Sequence, residues 1–310
     1  MSSDLSVIFG AGPLGLAIAR KLIAEGRPVR IVTRSGTGVP GAERVEADAA
    51  NEAQATAAAR GAARVFHCAA PAYHRWTTDF PPLQDSILQA AAATGAVLVA
   101  IENLYGYGVA GTLTEDLPLT ATTRKGRTRA AMTERLFDAH RAGKVQAVTG
   151  RASDFIGPEV HISAFGERLW PELLAGRSLR WLGDPESLHS VTFVPDAAAG
   201  LIALGDAPQT WGRAWHLPAA PARTPREIVA AMAAMAGLSE PALRPLPRWL
   251  LRAVGLVQPQ AGELVEVAYT FEAPLILDDR AIRAALGIEA SDWNTILDAT
   301  LGYWVQQKAA

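Results

Sequence analysis

Apolar runs of strand length alternate with stretches of helical period along the first half of the chain. Val7-Ile8-Phe9, Val29 to Thr33, Arg44 to Asp48, Arg64 to Ala70, Val97 to Ile101 and Val145 to Arg151 read as six strands. Between them, Leu16 to Gly26, Ala53 to Arg60, Pro81 to Thr94 and Thr123 to Ala142 read as helices, two of them stopped by glycine. Strands alternating with helices at this spacing predict an α/β protein with a parallel, doubly wound sheet covered on both faces. From Gly157-Pro158 the rhythm changes to short helices, tryptophans and proline turns. We therefore expect one domain over 1–157 and a smaller, mainly C-terminal substrate domain over 158–310, with 190–217 returning to the sheet.

The junction of the first strand and first helix is the most specific feature. Gly10-Ala11-Gly12-Pro13-Leu14-Gly15 follows Val7-Ile8-Phe9 directly. Gly10 allows the tight turn, Gly12 removes a Cβ from the path of a pyrophosphate, and Gly15 lets the helix pack close to the sheet. The N–H groups that open the helix, around Pro13 and Leu14, then face an anion. A lone loop of this spacing is weak evidence, but here the strand before it and the helix and strand after it complete a βαβ unit. The sequence thus predicts a Rossmann-type dinucleotide site. The second strand ends in Thr33-Arg34-Ser35, where an acid would grip an NAD ribose. Arg34 can fork onto a 2′-phosphate instead, so NADP is expected over NAD; its bland alternative is a surface arginine in a loop.

Composition narrows the partners. The chain has 310 residues, 49% of them hydrophobic, and a formal net charge of −2. That balance gives no field for nucleic acid or an anionic membrane, and no stretch is long and apolar enough for a membrane span. A small-molecule substrate is expected, in the cytoplasm. Cys68, the single cysteine, excludes an internal disulfide and reads as a small buried hydrophobe. The histidines and acids show no metal-ligand spacing, and no Gly-x-Ser-x-Gly elbow is present.

A set of segments then resembles, in order, the extended short-chain dehydrogenase/reductase family of nucleotide-sugar epimerases and dehydratases. Val65 to Ala70 is similar to that family's fourth strand and Leu104-Tyr105-Gly106 to its turn after strand five. Thr114 to Pro118 is similar to its TEDxP segment, Arg151 to Pro158 to its RPxNVYGP turn, and Phe193 to Ala198 to its xVxDxA segment. The resemblance implies a two-domain nicotinamide-dependent enzyme. Ala69, Ala70 and Ser153 would lie along the cofactor and Asp48 by the adenine. It also implies a homodimer through the helices after strands four and five, where Ala130, Ala131, Leu136 and Phe137 offer apolar surface. The departures are informative. The family's first loop glycine is Phe9 here, with Gly10 one place later. The tyrosine and lysine of its Tyr-x-x-x-Lys motif fall on Lys125 and Arg129, and its Ser/Thr slot falls on Ile101.

The expected chemistry follows from those replacements. Arg129 keeps a charge that can hold ribose hydroxyls, and a partly desolvated Lys125 can donate a proton near neutral pH. In isolation the run Arg124 to Arg129 also reads as the solvated basic start of a helix. Tyr107 is a second candidate acid and Asp154 the candidate carboxylate near substrate, or else a turn cap. Tyr105 reads as packing, His67 as a buried histidine, and His74 and His161 as loop residues. The function expected is an NADP-dependent oxidoreductase acting on a small carbonyl or sugar-like substrate. An epimerase, dehydratase or lyase is the alternative, and a non-catalytic NADP sensor is another.

Overall fold

A computed structural model describes residues 4–246, 263 and 265–309. The chain opens with strand β1 (Ser6–Phe9), helix α1 (Pro13–Ala24), β2 (Val29–Thr33), β3 (Glu43–Glu46), α2 (Glu52–Ala58), β4 (Arg64–His67), α3 (Trp76–Thr94) and β5 (Val97–Asn103). It continues with β6 (Gly111–Leu113), α4 (Arg124–Arg141), β7 (Ala147–Ala152), β8 (Asp154–Ile156), α5 (Trp170–Leu174), β9 (Leu179–Leu182) and β10 (Val191–Phe193). The remaining elements are α6 (Val194–Asp206), β11 (Ala214–His216), α7 (Pro225–Met235), β12 (Leu243–Leu246), β13 (Leu275–Leu277), α8 (Arg280–Leu286) and α9 (Trp293–Ala309).

Seven strands form one parallel sheet in the order β11-β7-β5-β4-β1-β2-β3. The order reverses between β1 and β4, so the crevice for a ligand opens above their carboxyl ends. Successive residues of each strand enter different cores because side chains alternate across a sheet. Val7 and Phe9 join Val65, Leu98, Ile87 and Leu136 under α2, α3 and α4. Ile8 joins Phe66, Val99, Ile18, Leu22 and Leu201 under α1 and α6. A third core, built from Phe165, Trp170, Trp181, Ile228, Phe271, Trp293 and Ile296, lies beyond β8. Two-stranded pairs β8–β10 and β9–β12 contribute to it, while β6–β13 packs with Leu104 and Tyr107 in a small separate cluster; all three pairs are parallel.

Three sequence expectations are corrected. Helix α3 begins at Trp76, not Pro81; Pro81 and Pro82 lie inside its second turn, where their missing N–H groups leave the Thr77 and Thr78 carbonyls without a helical donor. Strand β5 runs two residues further than the apolar run, which carries Glu102 into the buried sheet. Leu136 and Phe137 pack into the core of their own chain and leave only Ala131 and half-buried Ala130 at the outer face of α4. Among the described residues no helix is long and apolar enough to cross a membrane.

Candidate active site

The glycine loop has the geometry of a phosphate cradle. Gly10 sits at φ 104°, and a Cβ there would lie 2.7 Å from the backbone N of Ala69. A Cβ on Gly15 would fall 2.1 Å from the Gly10 carbonyl oxygen, so both glycines are forced by close packing against β4 and the turn. Gly12 differs. A Cβ there would meet nothing within 4 Å, so its face is open. Gly12 also caps α1 without any side-chain partner, which leaves the helix N-terminus at Leu14 and Gly15 available to an anion. These residues fit a dinucleotide.

Around the cradle, Arg34 is exposed and has no hydrogen-bond partner among the described residues. Asp48 accepts from the Ala50 N–H at 3.0 Å, stabilising its own turn while staying exposed. Ala69 and Ala70 continue from β4 past Gly10. Ser153 departs from expectation. Its hydroxyl donates to the Ser190 carbonyl at 2.6 Å and its N–H to Thr192 Oγ1 at 3.0 Å, because it bridges two strands; the side chain is already committed.

The replaced motif lies on the first turns of α4, capped by Thr123, whose hydroxyl accepts from the Gly126 N–H. Lys125 is 1% exposed, so the reading of this run as a solvated helix start fails for it. Its ammonium is paired with Glu263 and lies 3.4 Å from Glu266 Oε2, while its backbone N–H donates to Glu266 Oε1 at 2.7 Å. Burial pulls Lys125 below the ordinary lysine value, against the opposing pull of Glu266. Arg129, one turn on, is also buried; it donates to the Ile101 carbonyl at 3.1 Å and its guanidinium stacks 4.6 Å from the Phe80 ring centre. Among the described residues its Nε has no partner, and neither ring nitrogen of nearby His67 has one.

Tyr73, in the loop after β4, carries Lys125 Nζ 4.6 Å above its ring centre and donates to the Tyr105 hydroxyl at 3.4 Å. Tyr269 reaches the Tyr105 carbonyl at 3.5 Å. Asp154 accepts from His189 Nε2 at 2.8 Å, and the His189 ring stacks on Phe271 at 5.0 Å and 14°. The Asp154 charge reaches the two tyrosines, helping burial to raise both phenols. Lys125 and Asp154 therefore flank one polar cluster of tyrosines. Beside it, a cavity of about 530 Å³ is lined by Thr123, Glu266, Tyr269 and Glu272, among others.

Tyr107 is not part of that cluster. It is fully buried, accepts from Arg151 Nη1 at 2.6 Å and shares a 2.7 Å hydrogen bond with His216 Nε2. Because the arginine occupies the phenol oxygen as donor, the tyrosine proton points to Nε2, and His216 carries its own proton on Nδ1, facing the Asp278 carbonyl at 2.9 Å. Arg151 in turn pairs with buried Glu102 at 3.0 Å. This chain of partners ties β5, β7 and β11 together, and it corrects the expectation that Tyr107 is a free acid. His74 is exposed, and His161 is engaged with Tyr303 at 3.0 Å, away from the cluster.

A family model for the NAD dependent epimerase/dehydratase family matches residues 7–216. The chain belongs to that family. Among solved structures, UDP-glucose 4-epimerase from Thermotoga maritima with UDP-glucose superposes with a TM-score of 0.79 at 17% identity, covering 98% of this chain and 99% of that one. The dTDP-glucose 4,6-dehydratase DesIV double mutant from Streptomyces venezuelae, with NAD and DAU bound, gives 0.78 at 18% identity over 98% of each chain. UDP-glucuronic acid 4-epimerase from Bacillus cereus in complex with NAD gives 0.79 at 17%, covering 97% and 99%. Comparison with curated proteins finds no match.

Within this epimerase/dehydratase scaffold, sequence reasoning missed Tyr73, Glu263, Glu266, Tyr269 and His189. Tyr73 had a local signal, an aromatic residue at the carboxyl end of β4 where ligand loops gather. The two glutamates lie some 140 positions from Lys125, and no local pattern joins them.

Proposed function

We propose that the protein is an NADP-dependent oxidoreductase of the epimerase/dehydratase family acting on a small carbonyl or sugar-like substrate. The observation that carries this reading is the buried ammonium of Lys125 in the tyrosine slot, held by two carboxylates at the carboxyl edge of the sheet. A cation there is costly to bury, and the glutamates offset that cost. Gly10, Gly12, Pro13, Leu14, Gly15, Ala69 and Ala70 would hold the dinucleotide, Arg34 its 2′-phosphate and Asp48 the adenine end. When bound, the nicotinamide supplies hydride chemistry. The chain's own part is to orient the substrate oxygen near Lys125, balance the charge that develops on it and provide its proton. Arg129 keeps a buried positive charge beneath this site.

The polar cluster supports an enzyme over a sensor, because tyrosines, Asp154 and Lys125 line the region where apolar side chains would plug a silent pocket. A second reading, epimerase, dehydratase or lyase, is favoured by the Asp154–His189 pair, since a carboxylate fixed by a buried histidine can take a proton from carbon. We also propose a homodimer along α3 and α4, where Thr77, Pro81 and Ala131 line an open groove together with Arg124, Arg127 and Arg135.

The test begins with NADPH oxidation against a panel of aldehydes, ketones and keto sugars. Lys125→Met should then lower turnover on the order of a hundredfold or more while NADPH still binds. Unchanged turnover would remove Lys125 from the chemistry, and loss restricted to proton exchange at carbon would favour the second reading.

A further inference from the structure

Resting on the redox reading above, we propose that the phenol and cation lost from the Tyr-x-x-x-Lys motif are rebuilt from two separate segments: Tyr73 hands its hydroxyl proton to the substrate oxygen, and Lys125 is the cation over its ring. Tyr73 follows Ala69-Ala70-Pro71 at the end of β4, on the edge where the glycine cradle opens. Its ring has two packing partners. Trp76 meets it edge-on at 5.0 Å and is itself anchored by an indole N–H bond to the Pro71 carbonyl at 3.2 Å. Lys125 Nζ stands 4.6 Å from the ring centre, within the range of a cation–π contact.

The rival donors are occupied. The Lys125 ammonium faces Glu263 and Glu266, Tyr107 is spent between Arg151 and His216, and the Ser153 hydroxyl is given to Ser190. Among the described residues Tyr73 has one long partner, the Tyr105 hydroxyl at 3.4 Å, as Tyr269 has in the Tyr105 carbonyl at 3.5 Å, but of the two only Tyr73 carries the Lys125 ammonium over its ring. A substrate oxygen can replace the Tyr105 contact at little cost.

The step balances. As the carbonyl carbon of the substrate accepts hydride from the reduced nicotinamide, the Tyr73 O–H bond breaks and a new O–H bond forms on the substrate oxygen. Tyr73 is left as phenolate, and the alcohol and oxidised nicotinamide leave. The ammonium above the ring offsets the phenolate charge until water, through the Tyr105 hydroxyl, restores the proton. Burial raises the Tyr73 phenol, so it stays a donor across the working pH range, yet an alkoxide is more basic still and takes its proton.

Tyr73→Phe keeps the ring, the Trp76 contact and the cation above it, and deletes one oxygen. NADPH affinity, read by fluorescence, should stay within about twofold of wild type while kcat falls on the order of a hundredfold. Replacing Tyr73 with 3-fluorotyrosine, a more acidic phenol, should change kcat at constant pH and leave NADPH affinity unmoved, because a general acid acts according to its acidity. Wild-type kcat in Tyr73→Phe, or an unchanged kcat with fluorotyrosine, overturns the assignment and leaves the redox reading standing with Lys125 as donor. A wild-type protein that binds no NADPH and reduces nothing in the panel overturns both.

Discussion

Tyr107→Phe separates architecture from chemistry at the altered site. The substitution removes one hydroxyl that accepts from Arg151 at 2.6 Å and donates to His216 at 2.7 Å. Both partners stay buried, at 4% and 0% exposure, so water cannot replace the lost bonds. A hydrogen bond to a charged group contributes about 1.5–3 kcal/mol and a neutral one about 1, which puts the destabilisation near about 3 kcal/mol. For a chain of this size each kcal/mol moves the melting point by roughly 2–4 °C, so the variant should melt about 6–12 °C lower. Differential scanning calorimetry measures this directly, beside NADPH titration and turnover at a temperature where both proteins are folded. Affinity and kcat should match wild type. An unchanged melting point combined with a hundredfold loss of turnover would refute the reasoning and return Tyr107 to the acid–base machinery.

On the proposed reading, in which Arg34 holds the 2′-phosphate, Arg34→Ala should weaken NADPH binding about tenfold or more and leave NADH binding unchanged, since the exposed guanidinium has no hydrogen-bond partner to lose among the described residues; equal NADPH affinity in the two proteins would remove it from that role. Light scattering should return a dimer mass, and Ala131→Glu on the outer face of α4 should shift it towards the 32.8 kDa monomer. A monomer at high concentration in the wild type would end the dimer assignment.

The sheet was legible because its inner strands are buried on both faces and so read as apolar runs, and because Gly10 and Gly15 are required on steric grounds that this structure displays. The site was legible only in part. Register against a known motif found Lys125 and Arg129, since one helix carries both. It could not find Glu263 and Glu266, whose meeting with Lys125 is made by the fold from the far end of the chain. Tyr107 misled for a related reason. A tyrosine after a strand looks free until tertiary packing supplies Arg151 and His216, neither adjacent in sequence. Ser153 was likewise claimed by a strand pairing, β8 with β10, that apolar periodicity does not reveal.

His67 gives the fold an acid sensitivity that can be measured. It is buried in β4 against Phe80, and neither ring nitrogen has a hydrogen-bond partner among the described residues. Burial, aided by the charge of Arg129, lowers its pKa from 6.5 to about 3, so the folded protein holds it neutral where the unfolded chain protonates it. Between those two values the unfolded state binds the extra proton, and stability therefore rises with pH across the window and falls as the solution is acidified. At pH 5, roughly 1.5 units below the unfolded value, this one group costs about 2 kcal/mol relative to pH 7.5. His67→Leu removes the titration and replaces two unsatisfied nitrogens with methyl groups in an aromatic pocket. Its stability at pH 7.5 should lie within about 1 kcal/mol of wild type. Urea unfolding of both proteins at pH 7.5 and pH 5 isolates the group, because the carboxylates titrate alike in the two chains and cancel in the difference. The wild type should lose about 2 kcal/mol more than the variant over that interval. Equal losses would mean that His67 is protonated inside the fold or finds a partner there. Equal losses together with weaker NADPH binding by His67→Leu would assign the unpaired nitrogens to the cofactor side of β4.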